Sequence, residues 1–167
     1  MQGKIAVYPG TFDPITHGHL DVIKRGARIF EKLIVAPAVN IQKNPLFSQA
    51  EREEMLRDSI AAEKLGNVEV RAFSGMIVDF VRQCGTTILL RGIRTGSDFE
   101  AEFQMALTNR ELDHEVETVF VMASLEYSYV SSRLIREVAA LGGDVSRFVP
   151  ANVAPRMIEK AKALLGR

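Results

Sequence analysis

Short runs of consecutive apolar residues alternate along this chain with longer stretches in which apolar positions recur every three or four residues. Ile5 to Tyr8, Leu33 to Val39, Val68 to Phe73, Thr87 to Leu90 and Thr118 to Met122 are runs of the first kind and predict five buried strands. Between them, His17 to Phe30 puts Leu20, Ile23, Ala27 and Phe30 on one helical face. Ser48 with Glu51 reads as a capping box ahead of Met55, Leu56 and Ile60. Ser97 with Glu100 reads the same way ahead of Phe103, Ala106 and Leu107. Gly75 to Cys84 predicts a short helix, Ser131 or Ser132 caps another from Leu134 to Leu141, and Pro150 precedes a last one ending near Leu165. Strands alternating with helices make βαβ units, and continuous apolar runs suit strands covered on both faces. The expected fold class is α/β: a doubly wound, Rossmann-like parallel sheet of five strands in a single domain over residues 1–167.

Composition narrows this picture. The 167 residues suffice for one sizeable core, and 47% hydrophobic with 25% charged residues is ordinary for a globular protein. Lys plus Arg balance Asp plus Glu, 21 against 21, so there is no basic excess of the kind that nucleic-acid or anionic-membrane partners call for. Cys84 is the single cysteine, which excludes an internal disulfide, and its apolar setting reads as packing. Met1 to Val7 do not form a signal peptide, and no apolar run approaches the roughly 20 residues of a membrane helix. A cytoplasmic protein is expected.

In a doubly wound sheet, ligands bind beyond the carboxyl ends of the strands. After the first strand comes Pro9-Gly10-Thr11-Phe12-Asp13-Pro14-Ile15-Thr16-His17-Gly18-His19. Glycines here, with free N–H groups at the start of a helix, suit a phosphate, and His19 in the first turn can donate to one. Neither a dinucleotide glycine fingerprint nor a Walker loop occurs. His17 and His19 stand two apart, point to different helix faces and have no cysteine cluster nearby, so a protein-bound zinc is not expected. Magnesium carried in by the ligand's own phosphates fits better. Lys43 follows the second strand, and alone reads as a solvated lysine. Arg91 and Arg94 flank Gly92 after the fourth strand; they either clamp phosphates or pair with Asp98 and Glu102. Ser131 and Ser132 follow the fifth strand, where a helix N-terminus can hold a phosphate.

Gly-Thr-Phe-Asp-Pro followed by Thr-x-Gly-His resembles the signature of the nucleotidylyltransferase superfamily, and Val130-Ser131-Ser132 its Ile-Ser-Ser element. Tyr8 to Thr16, Arg91-Gly92-Ile93-Arg94, Asp98-Phe99-Glu100, Asn109-Arg110 and Gly142-Gly143-Asp144-Val145 are similar, in order, to the bacterial phosphopantetheine adenylyltransferase family, from Lys4 to about Pro155. That resemblance implies adenylyl transfer from ATP to 4′-phosphopantetheine, with Mg²⁺, a homohexamer, and coenzyme A as a feedback ligand. It implies Thr11, Lys43, Arg91 and His19 as the catalytic set. Thr11, Phe12, His19, Gly92, Ile93, Arg94, Glu102, Tyr127, Ser128, Tyr129, Val130, Ser131, Ser132 and Arg133 would face ATP. Thr11, Lys43, Met76, Ile77, Arg91, Asn109 and Glu137 would face phosphopantetheine. His17 falls on the variable position of the motif. Rival readings are a small nucleotidyltransferase with another acceptor, such as nicotinamide mononucleotide, and a doubly wound nucleotide sensor without activity.

Overall fold

The computed structural model describes residues 4–39 and 45–165. Five strands, β1 (Ile5–Gly10), β2 (Lys32–Pro37), β3 (Val68–Val70), β4 (Ile88–Ile93) and β5 (Glu117–Met122), form one parallel sheet in the order β3-β2-β1-β4-β5. Six helices connect or follow them: α1 (His17–Ile29), α2 (Gln49–Ala62), α3 (Ile77–Gln83), α4 (Gly96–Leu112), α5 (Ser132–Ala140) and α6 (Ala154–Leu165). The chain leaves β1 toward β2 on one side and later returns to pair β4 on the other. The crevice between the ends of β1 and β4 is therefore the switch point where such sheets bind ligands.

Alternating side chains divide the core between the faces of the sheet. Ala6, Tyr8, Leu33, Val35 and Leu90 pack with α1, α2, α5 and α6 through Ile23, Met55, Leu56, Ile135 and Met157. Val7, Ile34, Ala36 and Leu89 face α3 through Val78, Phe80 and Val81, and Cys84 packs there too. The helix α1 approaches the sheet closely at Gly26, where a Cβ would stand 2.6 Å from Leu90 Cδ2.

Several boundaries depart from expectation. The strand expected at Val68 to Phe73 is regular only to Val70, and Phe73 keeps a single bridge to Ala38. The fourth strand runs on to Ile93, so Arg91 and Gly92 lie inside it rather than beyond it. The capping box expected at Ser97 is absent. Thr95 caps α4 instead, its hydroxyl accepting from the Asp98 backbone N–H at 3.3 Å, which leaves Ser97 inside the first turn. The Ser48–Glu51 box is present, with Ser48 Oγ accepting from Glu51 N at 3.3 Å and Glu51 Oε2 from Ser48 N at 2.7 Å. Ser131 caps α5 by accepting from Leu134 N, while the Ser132 hydroxyl reaches back and donates to the Pro14 carbonyl at 2.8 Å.

Candidate active site

The loop between β1 and α1 arches over the carboxyl ends of β1 and β4. Thr16 caps α1: its hydroxyl accepts from the His19 backbone N–H at 3.3 Å, and its own backbone N–H donates to His19 Nδ1 at 3.1 Å. This is a capping box in which an imidazole fills the place usual for Glu or Gln. A ring nitrogen that accepts a backbone N–H carries no proton, so in the neutral ring the proton sits on Nε2. Burial, then the charges of Arg94 and Arg91, push the His19 pKa down to about 4. His19 is thus a neutral hydrogen-bond donor near pH 7. The Phe12 ring meets it edge-on with centroids 5.0 Å apart and fixes the imidazole from the side.

Around His19 a cavity is lined by Pro9 to Asp13, Gly18, Arg91, Gly92, Arg94, Glu102, Val130, Ser131 and Ser132. A Cβ on Gly18 would touch Thr16 and Tyr127 only at ordinary distances of 3.6 and 3.7 Å. Helix packing does not demand glycine there, and what the missing side chain keeps clear is the cavity. A second cavity is lined by Thr11, Ala38, Phe73, Ile77, Arg91, Glu102, Asn109 and Thr118. A neighbouring groove that shares Ala38, Phe73, Ile77 and Asn109 with it is bordered by Met76. Both cavities share Pro9, Gly10, Thr11, Arg91 and Glu102, so the two open onto each other at those residues. Asn109 is 6% exposed, and the Thr118 hydroxyl is buried without a hydrogen-bond partner among the described residues. The second cavity therefore offers polar groups along a mostly apolar wall.

The two arginines do both things the sequence left open: they line the cavity, and they pair with the nearby acids. Arg91 donates through Nε and Nη2 to the Glu102 carboxylate, at 2.6 and 2.5 Å, and through Nη1 to the Pro9 carbonyl. Arg94 donates to both Asp98 oxygens, at 2.8 and 3.1 Å, and to the Val130 carbonyl at 2.6 Å. A guanidinium has five N–H groups, so each arginine keeps two for a ligand. The acids hold the forks in place at the cavity wall.

Sequence reasoning missed Asp13 and Arg136, which also line the first cavity. The Asp13 carboxylate is 3% exposed and accepts from the backbone N–H groups of Leu46 and Phe47, each at 2.9 Å. Arg136 Nη1 donates to the Asp13 carbonyl and, at 3.2 Å, to its carboxylate. The one available signal is spacing: Arg136 stands four residues after Ser132 and so shares its helix face.

Other expected residues do not gather here. The Phe12 ring, 1% exposed, and the Ile93 side chain are in the core, so any ligand contact from these residues is through the backbone. Tyr127 stacks on His17, with centroids 5.8 Å apart, rather than lining the cavity. Tyr129 is exposed, and Ser128 donates to the Leu125 carbonyl. Arg133 and Glu137 pair with each other at 3.1 Å and line a separate groove with Leu46 and Ala161. Lys43 lies outside the described residues.

A strand–loop–helix of this kind at the switch point of a parallel sheet defines a nucleotidyltransferase, and the comparisons agree. The cytidylyltransferase-like family model matches residues 7–138. The phosphopantetheine adenylyltransferase of Heliobacterium modesticaldum is 51% identical over 93% of this chain and 92% of its own length. That of Caldanaerobacter subterraneus subsp. tengcongensis is 49% identical, over 95% and 98%. The chain belongs to the phosphopantetheine adenylyltransferase family. In fold it is also similar to the Plasmodium falciparum nicotinic acid mononucleotide adenylyltransferase complexed with NaAD, with a TM-score of 0.72 at 14% identity over 96% and 97% of the two chains.

Proposed function

We propose that this chain transfers the adenylyl group of ATP to 4′-phosphopantetheine, giving dephospho-coenzyme A and pyrophosphate in the penultimate step of coenzyme A biosynthesis. The observation that carries the reading is the junction of two cavities at Thr11, Arg91 and Glu102. One is lined with phosphate-binding groups and the other is long and mostly apolar, and kinship with relatives of that name supplies the acceptor.

The acceptor's phosphate oxygen attacks the α-phosphorus of ATP in line, and the bond from that phosphorus to the β-phosphate's bridging oxygen breaks. Pyrophosphate leaves with the electron pair. The nucleophile is already an anion, so the reaction calls for alignment and charge stabilisation rather than a base. His19 donates from Nε2 to an α-phosphate oxygen. Arg91 holds the acceptor phosphate beside Thr11, and Lys43 is assigned as a further phosphate clamp by family resemblance. Arg94, Ser131 and Ser132 steady the departing pyrophosphate, with Arg136 behind them. Asn109, Ile77 and Met76 line the path of the pantetheine arm.

Magnesium belongs with the nucleotide in this reading. Among the described residues no three His, Cys, Asp or Glu side chains are grouped as a ligand set. The ion would be held by the phosphates, and no step above passes through it. Coenzyme A carries the same pantetheine arm and is the expected feedback ligand. No helix among the described residues is long and apolar enough to cross a membrane.

A homohexamer is part of the same reading. Asn109 is the only buried residue of α4, while Phe99, Phe103, Met105, Leu107 and Leu112 on that helix and Met122 on the edge strand β5 are exposed. Phe99, Phe103 and Leu107, four apart, make one exposed apolar stripe that suits a second copy of the chain, while Met105 borders the second cavity.

The experiment is an acceptor panel: ATP turnover with 4′-phosphopantetheine, nicotinate mononucleotide and a simple alcohol phosphate. The reading expects turnover with phosphopantetheine alone. Preference for either other acceptor would overturn it.

A further inference from the structure

Arg52 on α2 is a deeply buried cationic side chain that the proposed mechanism does not use. It is 3% exposed, yet among the described residues no carboxylate pairs with it within 4.0 Å. Its partners are neutral. Nη1 donates to the Thr11 carbonyl at 2.7 Å and to the Ala38 carbonyl at 3.0 Å, and Nη2 donates to Gln49 Oε1 at 2.5 Å. Its Nε is buried with no partner among the described residues. Desolvating a guanidinium whose hydrogen bonds all go to neutral groups is costly, and an apolar side chain of similar size fills such a place more cheaply. The arrangement makes sense if those two carbonyls must be held.

Their positions say why. Thr11 is the first residue past β1, and Ala38 the first past β2. The Ala38 backbone N–H also donates to the Gly10 carbonyl at 2.8 Å. One guanidinium thus draws together the ends of the two neighbouring strands at the edge where Thr11 lines both cavities. Arg52 itself lines neither cavity. Gln49 orients the fork from one side, and its own Nε2 donates to Glu53 Oε1 at 3.1 Å.

We propose that Arg52 is a positioning residue for the transfer reaction: from beneath the site, it fixes the Thr11 backbone at the junction of the nucleotide and acceptor cavities. The inference rests on the functional reading above. A misplacement on the order of 1 Å can cost about 10²-fold in rate. The effect falls on kcat, because the phosphate-binding arginines, the serines and His19 hang on other elements.

The test compares the parent with Arg52→Lys, Arg52→Gln, Thr11→Ala and the double variant Arg52→Gln/Thr11→Ala. It measures phosphopantetheine-dependent pyrophosphate release, ATP affinity by calorimetry, thermal melting, and amide hydrogen exchange over residues 9–16. Arg52→Gln should lower kcat by about 10²-fold, hold the ATP Kd within about threefold, and speed exchange in that segment. Arg52→Lys keeps the charge with a single donor group and should recover part of the rate. In the Thr11→Ala background the Arg52→Gln step should cost less than about threefold, since residues acting through one another are non-additive. Folded Arg52 variants with parental kcat, or losses that multiply in the double variant, would overturn the proposal. Should Arg52→Gln fail to fold, Arg52→Lys carries the same readouts. If the parent shows no phosphopantetheine-dependent release, the functional reading fails; unchanged exchange over residues 9–16 sinks the positioning role independently.

Discussion

His19 shows how a single side chain is prepared by groups far apart in the chain. Thr16 takes up Nδ1, Arg94 and Arg91 repel a second proton, and what remains is one fixed donor at Nε2. Removing a donor of this type costs on the order of 10²–10³ in rate. His19→Ala should therefore lower kcat by about that much while remaining folded, and steady-state kinetics within threefold of the parent would contradict the role. The lowered pKa also fixes a sign. An unfolded histidine takes up its proton near 6.5, whereas the native ring resists protonation until about 4. The unfolded state binds more protons between those values, so this residue's contribution to stability is present above about pH 6.5 and is lost as pH falls toward 4. Urea midpoints measured across that window should fall less steeply for His19→Asn than for the parent. The residue itself was legible in the sequence, as the last position of Thr-x-Gly-His. Its protonation state was not, because the burial that chiefly sets it, and the arginines that add to it, exist only in the folded chain. Asp13, Arg52 and Arg136 were illegible for the same reason: each acts through backbone groups that only the fold brings near.

Elements were easier to read than side chains, and for a physical cause. Strands buried on both faces read as continuous apolar runs, as β1 and β2 do, whereas the edge strand β3 alternates as Val68-Glu69-Val70 and is only half-buried. Capping depends on a single backbone turn, and there the reading succeeded at Ser48 but failed at Ser97. The pattern Ser-x-x-Glu occurs at both places, yet β4 runs three residues further than its apolar run, and α4 starts at once on Thr95. Thr95→Ala should accordingly cost about 1 kcal/mol of stability. Ser97→Ala should stay within about 0.5 kcal/mol, as an exposed helix position does. Denaturant titration of the two variants separates them, and the reverse order would contradict the observed cap. The start of α4 matters because this helix carries Asp98, Glu102 and Asn109 to the site.

On the scale of the whole molecule, the sheet order places two chemically different cavities side by side. The one lined by arginines and serines opens at β1 and β4, and the more apolar one lies between β1, α3 and α4. The helix α4 lines the second cavity through Glu102, Met105, Ala106 and Asn109 and leaves Phe99, Phe103 and Leu107 exposed, so the proposed assembly and acceptor binding would share a helix. Light scattering should report a hexamer for the parent and smaller species for Phe103→Glu; a parent that is monomeric at micromolar concentration would contradict that assembly. Adenylyl transfer to phosphopantetheine can be followed directly with ATP labelled in the α-phosphate, with and without 4′-phosphopantetheine. Label should enter dephospho-coenzyme A in one-to-one ratio with pyrophosphate, and only when the acceptor is present. Label that stays in ATP, or pyrophosphate released equally without the acceptor, would contradict it.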